Sequence, residues 1–243
     1  MVRTKTGIDK LDDYIGGGFP ASRNILLTGE PGTCKTIFAT QFLYYGAKRY
    51  NEPGIYVTTD ISPERYRDDM RRLGWDITSL ESSRKLAIVD AYSARAERVT
   101  EEKFFITSFE IKDLTEKIYE AVERINAKRI VIDSLVPLGL IYRDETELRN
   151  NFMKLFSFLA DSLECTTILI SETTNKNVSI CRFGIEDFLA DGVVFLDHPL
   201  ADNKYVRIMH IRKMRGTSHT EIPLYFTVEK EHGITNISPT TMV

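Results

Sequence analysis

Short apolar runs alternate with amphipathic stretches along most of the 243-residue chain. Residues 24–28 (NILLT) predict a buried strand that enters a Gly-rich turn and then a helix over about 35–48. Residues 54–59 (GIYVTT) predict a second strand. Ser62-Pro63-Glu64 then reads as a helix start, with Ser62 as N-cap and Pro63 in the first helical position. Tyr66, Met70 and Leu73 follow at helical spacing, and Gly74 ends that helix. A third strand is predicted over 86–91. Leu114, Ile118, Val122 and Ile125 recur every three or four residues and predict an amphipathic helix over 112–126. Residues 129–133 (RIVID) predict a strand buried on both faces. Phe152, Leu155, Phe156, Leu159 and Leu163 mark another helix, and 166–171 a further strand. Strands alternating with helices imply βαβ units and a mostly parallel sheet flanked by helices. The tail differs: 192–197, 204–214 and 222–229 are strand-like runs with no helix between them, expected to extend the same sheet as an antiparallel edge.

Composition narrows the class without naming it. Hydrophobic residues make up 42% and charged residues 28%, ordinary values for a globular domain with a full core. No repeat or long Pro/Gly/Ser linker divides the chain, so residues 1–243 read as a single domain. A net charge of −3 argues against a protein that coats nucleic acid, which needs a basic surplus. No apolar run approaches the ~18 residues of a membrane span. Cys34, Cys165 and Cys181 are odd in number and far apart, which gives neither a disulfide framework nor a zinc spacing. A reducing, cytoplasmic setting is the expectation.

The strongest chemical signal is Gly29-Glu30-Pro31-Gly32-Thr33-Cys34-Lys35-Thr36, followed by Ile37. It lies between a predicted strand and a predicted helix, as the phosphate-binding Walker A pattern G-x-x-x-x-G-K-[ST] requires. Its second glycine is replaced by Cys34. In such a loop successive N–H groups and the helix N-terminus cradle phosphate oxygens. Lys35 would reach the β- and γ-phosphates, and Thr36 would ligate Mg²⁺. A Gly/Pro-rich connection with no ligand is the alternative. Asp133, ending an apolar strand, is placed to hold Mg²⁺ beside the loop. Read alone, it is equally an ordinary strand-ending acid. Asp60 ends the second strand and reads either as the acid that orients an attacking water or as a turn or capping aspartate.

With these residues placed, the chain resembles the RecA superfamily and, within it, the KaiC family. The resemblance runs over about 4–237. It is carried by Gly16-Gly17-Gly18-Phe19-Pro20, the 29–36 loop, Gln41-Phe42-Leu43-Tyr44, Glu52 to Thr58, Gly74-Trp75-Asp76, Arg129 to Ser134, Gly184-Ile185-Glu186-Asp187-Phe188 and Lys213-Met214-Arg215-Gly216-Thr217-Ser218-His219. It implies a RecA-like P-loop NTPase fold that binds ATP and Mg²⁺ and assembles into rings, typically homohexamers, with nucleotide between subunits. By the same resemblance Lys213 and Arg215 match a basic pair that reaches the neighbour's γ-phosphate, and Glu172 loosely matches a γ-phosphate-sensing position. On sequence alone the pair, alternating on one face of an edge strand two residues apart, reads first as a solvated Lys/Arg pair. The chain departs from the family at Cys34 and at Asp60-Ile61, where two adjacent acids are usual. A slow, ring-forming ATPase that serves a regulatory or assembly partner is the leading expectation. A non-hydrolysing nucleotide switch is the second, and a recombinase-like DNA-dependent ATPase the third. The clock and autokinase roles of two-domain relatives do not transfer to one domain.

Overall fold

A computed structural model describes residues 2–173 and 179–240. Its main element is a ten-stranded sheet. In chain order its strands are β1 (Asn24–Gly29), β2 (Gly54–Thr58), β3 (Leu86–Asp90), β4 (Phe104–Phe105), β5 (Arg129–Asp133), β6 (Thr166–Ile170), β7 (Gly192–Asp197), β8 (Arg207–Met214), β9 (Leu224–Glu229) and β10 (Gly233–Pro239). Across the sheet they run β10-β9-β8-β7-β1-β6-β5-β2-β3-β4. From β7 to β4 every pairing is parallel, and β8, β9 and β10 add on antiparallel. The expected mostly parallel α/β sheet with an antiparallel C-terminal extension is therefore observed.

The period-2 alternation of strand side chains divides the core between the two faces. On β1, Ile25 and Leu27 join one apolar cluster and Leu26 the other. Tyr56, Val131, Ile168 and Ile170 lie with the first, while Ile55, Val57, Ile130, Ile132 and Leu169 lie with the second. Helix α1 (Lys35–Arg49) covers the first face with Phe38, Ala39, Phe42 and Leu43. Its last turn carries Lys48 and Arg49, where cations complement the helix dipole. Helix α2 (Pro63–Arg72) adds Tyr66 and Met70 to this face. Helices α3 (Ile111–Ile125) and α4 (Glu145–Ser157) cover the second face. The antiparallel strands are tied to α1 by the buried Gln41, which donates to the carbonyls of Gly7 and Ile234 and accepts from the Ile234 amide.

Several boundaries differ from expectation. The strand expected over 204–214 is broken: Lys204–Tyr205 forms a separate ribbon with Leu200–Ala201, and the sheet strand starts at Arg207. The helix marked by Phe152 begins earlier, at Glu145, because Asp144 caps it by accepting from the Glu147 amide at 2.8 Å. It ends in a π-helical turn, Phe158–Ser162.

Candidate functional site

The loop after β1 is shaped by positions that tolerate little else. A Cβ on Gly29 would sit 2.2 Å from the Leu196 carbonyl oxygen and 2.9 Å from Thr33 Oγ1. Thr33 Oγ1 donates to the Glu30 carbonyl at 2.8 Å and closes the loop. Cys34 is the N-cap of α1, with φ 75° and ψ 25°. This is the left-handed region that glycine occupies freely and other residues enter at a cost. The expectation that Cys34 stands where glycine is normally needed is thus met in the backbone. The first-turn amides of α1 have no intrahelical acceptor, so they face the loop as donors. Ile37 packs partly buried against the core cluster.

Lys35 is 8% exposed, and its Nζ donates to the carbonyls of Gly29 at 2.9 Å and Glu30 at 3.0 Å. Burial lowers its pKa, and the charges of Glu172 and Asp133 oppose that shift. Thr36 Oγ1 donates to Asp133 Oδ2 at 2.7 Å, and Tyr56 OH donates to the same oxygen at 2.8 Å. Burial pushes the Asp133 carboxyl above its usual range, while the Thr36 and Tyr56 hydrogen bonds hold it down. The structure therefore brings Lys35, Thr36, Asp133 and Glu172 together at the C-terminal ends of β1, β5 and β6.

Asp60 lies on the neighbouring turn with both oxygens engaged. Oδ1 accepts from Arg95 at 3.0 Å and Oδ2 from Ser134 Oγ at 2.8 Å. It does not cap the following helix: Ser62 does, by accepting from the Arg65 amide at 3.4 Å.

Lys213 and Arg215 lie elsewhere. Lys213 pairs with Val193, which is level with Leu26, and Met214 pairs with Gly192, level with Ile25. Arg215 follows, its amide on the Asp191 carbonyl at 2.9 Å. The chain thus leads away from Gly29 toward the N-terminal edge of the sheet. At ~3.3 Å per strand residue, Arg215 is more than 10 Å from its own loop along the strand direction alone. The two do not simply alternate on an edge strand. A register shift falls between Ile211 and Lys213, and β8 pairs with β9 only over Arg207–Met209. Lys213 Nζ donates to the carbonyls of Asp187, Phe188 and Ala190 at 2.8, 3.3 and 2.6 Å. Burial, then the Arg215 charge, lowers its pKa. Arg215 donates to the Phe188 carbonyl at 3.3 Å and faces Asp191 at 3.7 Å, with its side chain 58% exposed.

Sequence reasoning missed Tyr56, Tyr66, Arg95 and Ser134. Tyr56 stacks on Tyr66 with ring centroids 3.8 Å apart, and Tyr66 OH meets Thr40 Oγ1 at 3.2 Å. Tyr56 sits in a predicted apolar strand and Tyr66 on the apolar face of a predicted helix, where an aromatic reads first as core. Among the described residues no group of three or more His, Cys, Asp and Glu is arranged to hold a metal. No helix among them is long and apolar enough to cross a membrane.

Comparison with known proteins agrees with this geometry. A family model for the KaiC ATPase matches residues 4–241. The circadian clock oscillator protein KaiC of Synechococcus elongatus is 34% identical over 239 residues, which are 98% of this chain and 44% of that protein. The chain thus spans a little under half the length of this clock relative. The UPF0273 protein MJ1359 of Methanocaldococcus jannaschii is 36% identical over 222 residues, 90% of each chain. The crystal structure of KaiC-like protein PH0186 from Pyrococcus horikoshii superposes with a TM-score of 0.84 at 37% identity, covering 98% of this chain and 99% of that one. A phosphate-loop geometry at the end of β1, a RecA-type sheet and a family match over nearly the full length lead to one conclusion: the chain belongs to the KaiC ATPase family.

Proposed function

We propose that the chain binds Mg-ATP in its 29–37 loop and forms a head-to-tail ring, hexameric by family resemblance, in which Arg215 of one copy completes the site of the next. The observation that carries the nucleotide reading is the convergence of Lys35, Thr36 and Asp133 at the end of β1. The donor set suits Mg²⁺: a hydroxyl and a carboxylate are hard oxygen ligands, and Mg²⁺ keeps waters and phosphate oxygens as its other ligands. Both hydrogen bonds to Asp133 fall on Oδ2, so Oδ1 remains for a bridging water. A cation there also offsets the burial that disfavours the charged carboxyl. When bound, Mg²⁺ would neutralise charge on the β- and γ-oxygens.

The chain's own residues supply the rest. Lys35 exchanges two loop carbonyls for phosphate oxygens, whose charge compensates the desolvation of its ammonium. The α1 amides take the remaining oxygens. Asp60 orients water, but both of its oxygens already accept hydrogen bonds, so it holds that water poorly and turnover is slow. Lys213 has spent all three ammonium donors on carbonyls, whereas among the described residues Arg215 keeps N–H groups unused and stays exposed. This supports Arg215 as the group offered to the neighbour and Lys213 as its anchor. Because the loop and Arg215 face opposite edges of one sheet, a heterologous contact joins them between copies, and such contacts close into rings.

The engaged Asp60 also favours a second reading, a nucleotide switch that binds ATP without turning it over and signals to a protein partner. The charge of −3 leaves a DNA-dependent role with the least support. Light scattering with and without Mg-ATP, followed by phosphate release on the same sample, tests the set. The expected result is a nucleotide-stabilised ring with slow release. A ring without release selects the switch, and a monomer at saturating Mg-ATP overturns the shared-site reading.

A further inference from the structure

The one-turn helix Glu186–Leu189 joins two parts of the molecule that the proposed cycle uses separately. The end of a helix leaves carbonyls without intrahelical donors. Here cations take them: Lys213 holds Asp187, Phe188 and Ala190, and Arg215 holds Phe188. At the other end Glu186 is fully buried. Its carboxylate accepts from Ser171 Oγ at 2.8 Å, from the Phe183 amide at 3.3 and 3.2 Å, and from the Ile185 amide at 3.2 Å. Ser171 begins the segment after β6, with its own amide on the Leu27 carbonyl at 3.0 Å. Two residues on, the Thr173 amide donates to the Gly29 carbonyl at 3.3 Å. That carbonyl is the one Lys35 holds at 2.9 Å.

A path of hydrogen bonds joined by short backbone segments therefore runs from Lys35 through the Gly29 carbonyl to the Thr173 amide, and along the chain to Ser171. From Ser171 it passes through Glu186 and the helix carbonyls to Lys213 and Arg215. We propose that Glu186 is a positioning residue that ties the state of a subunit's own phosphate loop to the presentation of Arg215 toward the next subunit. The proposal rests on the shared-site reading above. Its physical basis is competition for one ammonium. When phosphate oxygens draw Lys35 away, the Gly29 carbonyl keeps only the Thr173 amide, and the 171–173 segment adjusts. A buried carboxylate with partners on both oxygens cannot slip without losing them, so it moves as a unit with the helix it begins. The cations at the far end of that helix follow.

Hydrogen exchange of the 186–191 amides in the full chain, with and without a non-hydrolysable Mg-ATP analogue, tests this directly. In the wild type, nucleotide should change exchange in this segment by about threefold or more, the scale of a local opening equilibrium that shifts. Ser171→Ala deletes the hydroxyl and leaves its amide on Leu27. Its ATP affinity should stay within about twofold of wild type, since it removes no phosphate contact, while the nucleotide response of 186–191 disappears and kcat falls without a matching change in KM. Ser171→Thr keeps the hydroxyl and should restore the response. Glu186→Gln sets an NH2 group against the Phe183 N–H in either amide orientation, since that N–H reaches both carboxylate oxygens, and should behave as Ser171→Ala does, giving a second arm should one variant fold poorly. No response in the wild type, or an equal response in Ser171→Ala, overturns the proposal. Unchanged turnover in Arg215→Ala would instead sink the shared-site reading, a separate result, because the exchange readout does not depend on hydrolysis.

Discussion

The phosphate-loop end of β1 and the cation end of β8 treat their charges in opposite ways. At the loop, Lys35 is closed in by two carbonyls of its own subunit, and Asp133 by the hydroxyls of Thr36 and Tyr56. At the cation end Lys213 is similarly spent, but Arg215 stays 58% exposed beside the Asp191 carboxylate at 3.7 Å. An exposed pair of that length contributes little to stability, about 0–1 kcal/mol. On the proposed reading the loop is a half-site that needs only its ligand, whereas among the described residues the cation end retains donors that no other group uses. Binding should report on the first region, and turnover within the assembly on the second.

The sharpest way to break this contrast is Arg215→Ala. A finger acting in trans contributes ~10³–10⁵ in rate in nucleotide triphosphatases. With an Asp60 already engaged by Arg95 and Ser134, a loss at or below the low end of that range is expected. ATP affinity should stay nearly unchanged. Mixing Arg215→Ala with Lys35→Ala should restore part of the activity, because mixed rings contain interfaces with an intact loop and an intact arginine. Mixed rings that form and stay inactive would remove the distinction between the two ends.

The complementary test is Lys35→Ala. It deletes a charge-assisted contact of roughly 1.5–3 kcal/mol at the phosphates. At ~1.4 kcal/mol per decade, ATP affinity should fall about ten- to a hundredfold in a folded variant. An unchanged titration would mean that the loop is not the binding half.

How far each region was readable from the residues follows the same contrast. Buried parallel strands are continuous apolar runs, so β1, β2, β5 and β6 stood out. β10 did not, because its polar residues break the run and it is entered through Gly233 at φ +76°. Lys35, Thr36 and Asp133 were legible because phosphate binding requires fixed residue types beside a strand end. The partners of Asp60 were not, since Arg95 and Ser134 arrive from two other segments that only the fold brings together. The saturation of Lys213 was invisible for a different reason: its partners are main-chain carbonyls, which leave no trace in a sequence. The Asp191 partner of Arg215 is equally a product of the fold, which joins the start of β7 to the end of β8.

The smallest expected effect concerns Cys34, the one loop position that departs from the family pattern. Its left-handed backbone costs a non-glycine residue ~1–2 kcal/mol. Glycine would relieve this but lose ~0.5–1 kcal/mol through its greater freedom when unfolded. Cys34→Gly should therefore stabilise the nucleotide-free chain by roughly 0.5–1 kcal/mol, and raise Tm by about 1–4 °C at the ~2–4 °C per kcal/mol typical of this size. The wild-type thiol offers a matching probe. Cys34 is partly exposed, while Cys165 and Cys181 are buried and burial pushes their thiols up to about 11 and about 12. Since the thiolate is the reactive form, an alkylating reagent near neutral pH should modify Cys34 and spare the other two. Mg-ATP seated on the loop should slow that modification in the wild type and in Arg215→Ala alike, but not in Lys35→Ala. Protection lost in Arg215→Ala would mean that the cation end contributes to binding itself, and the loop would no longer count as self-contained.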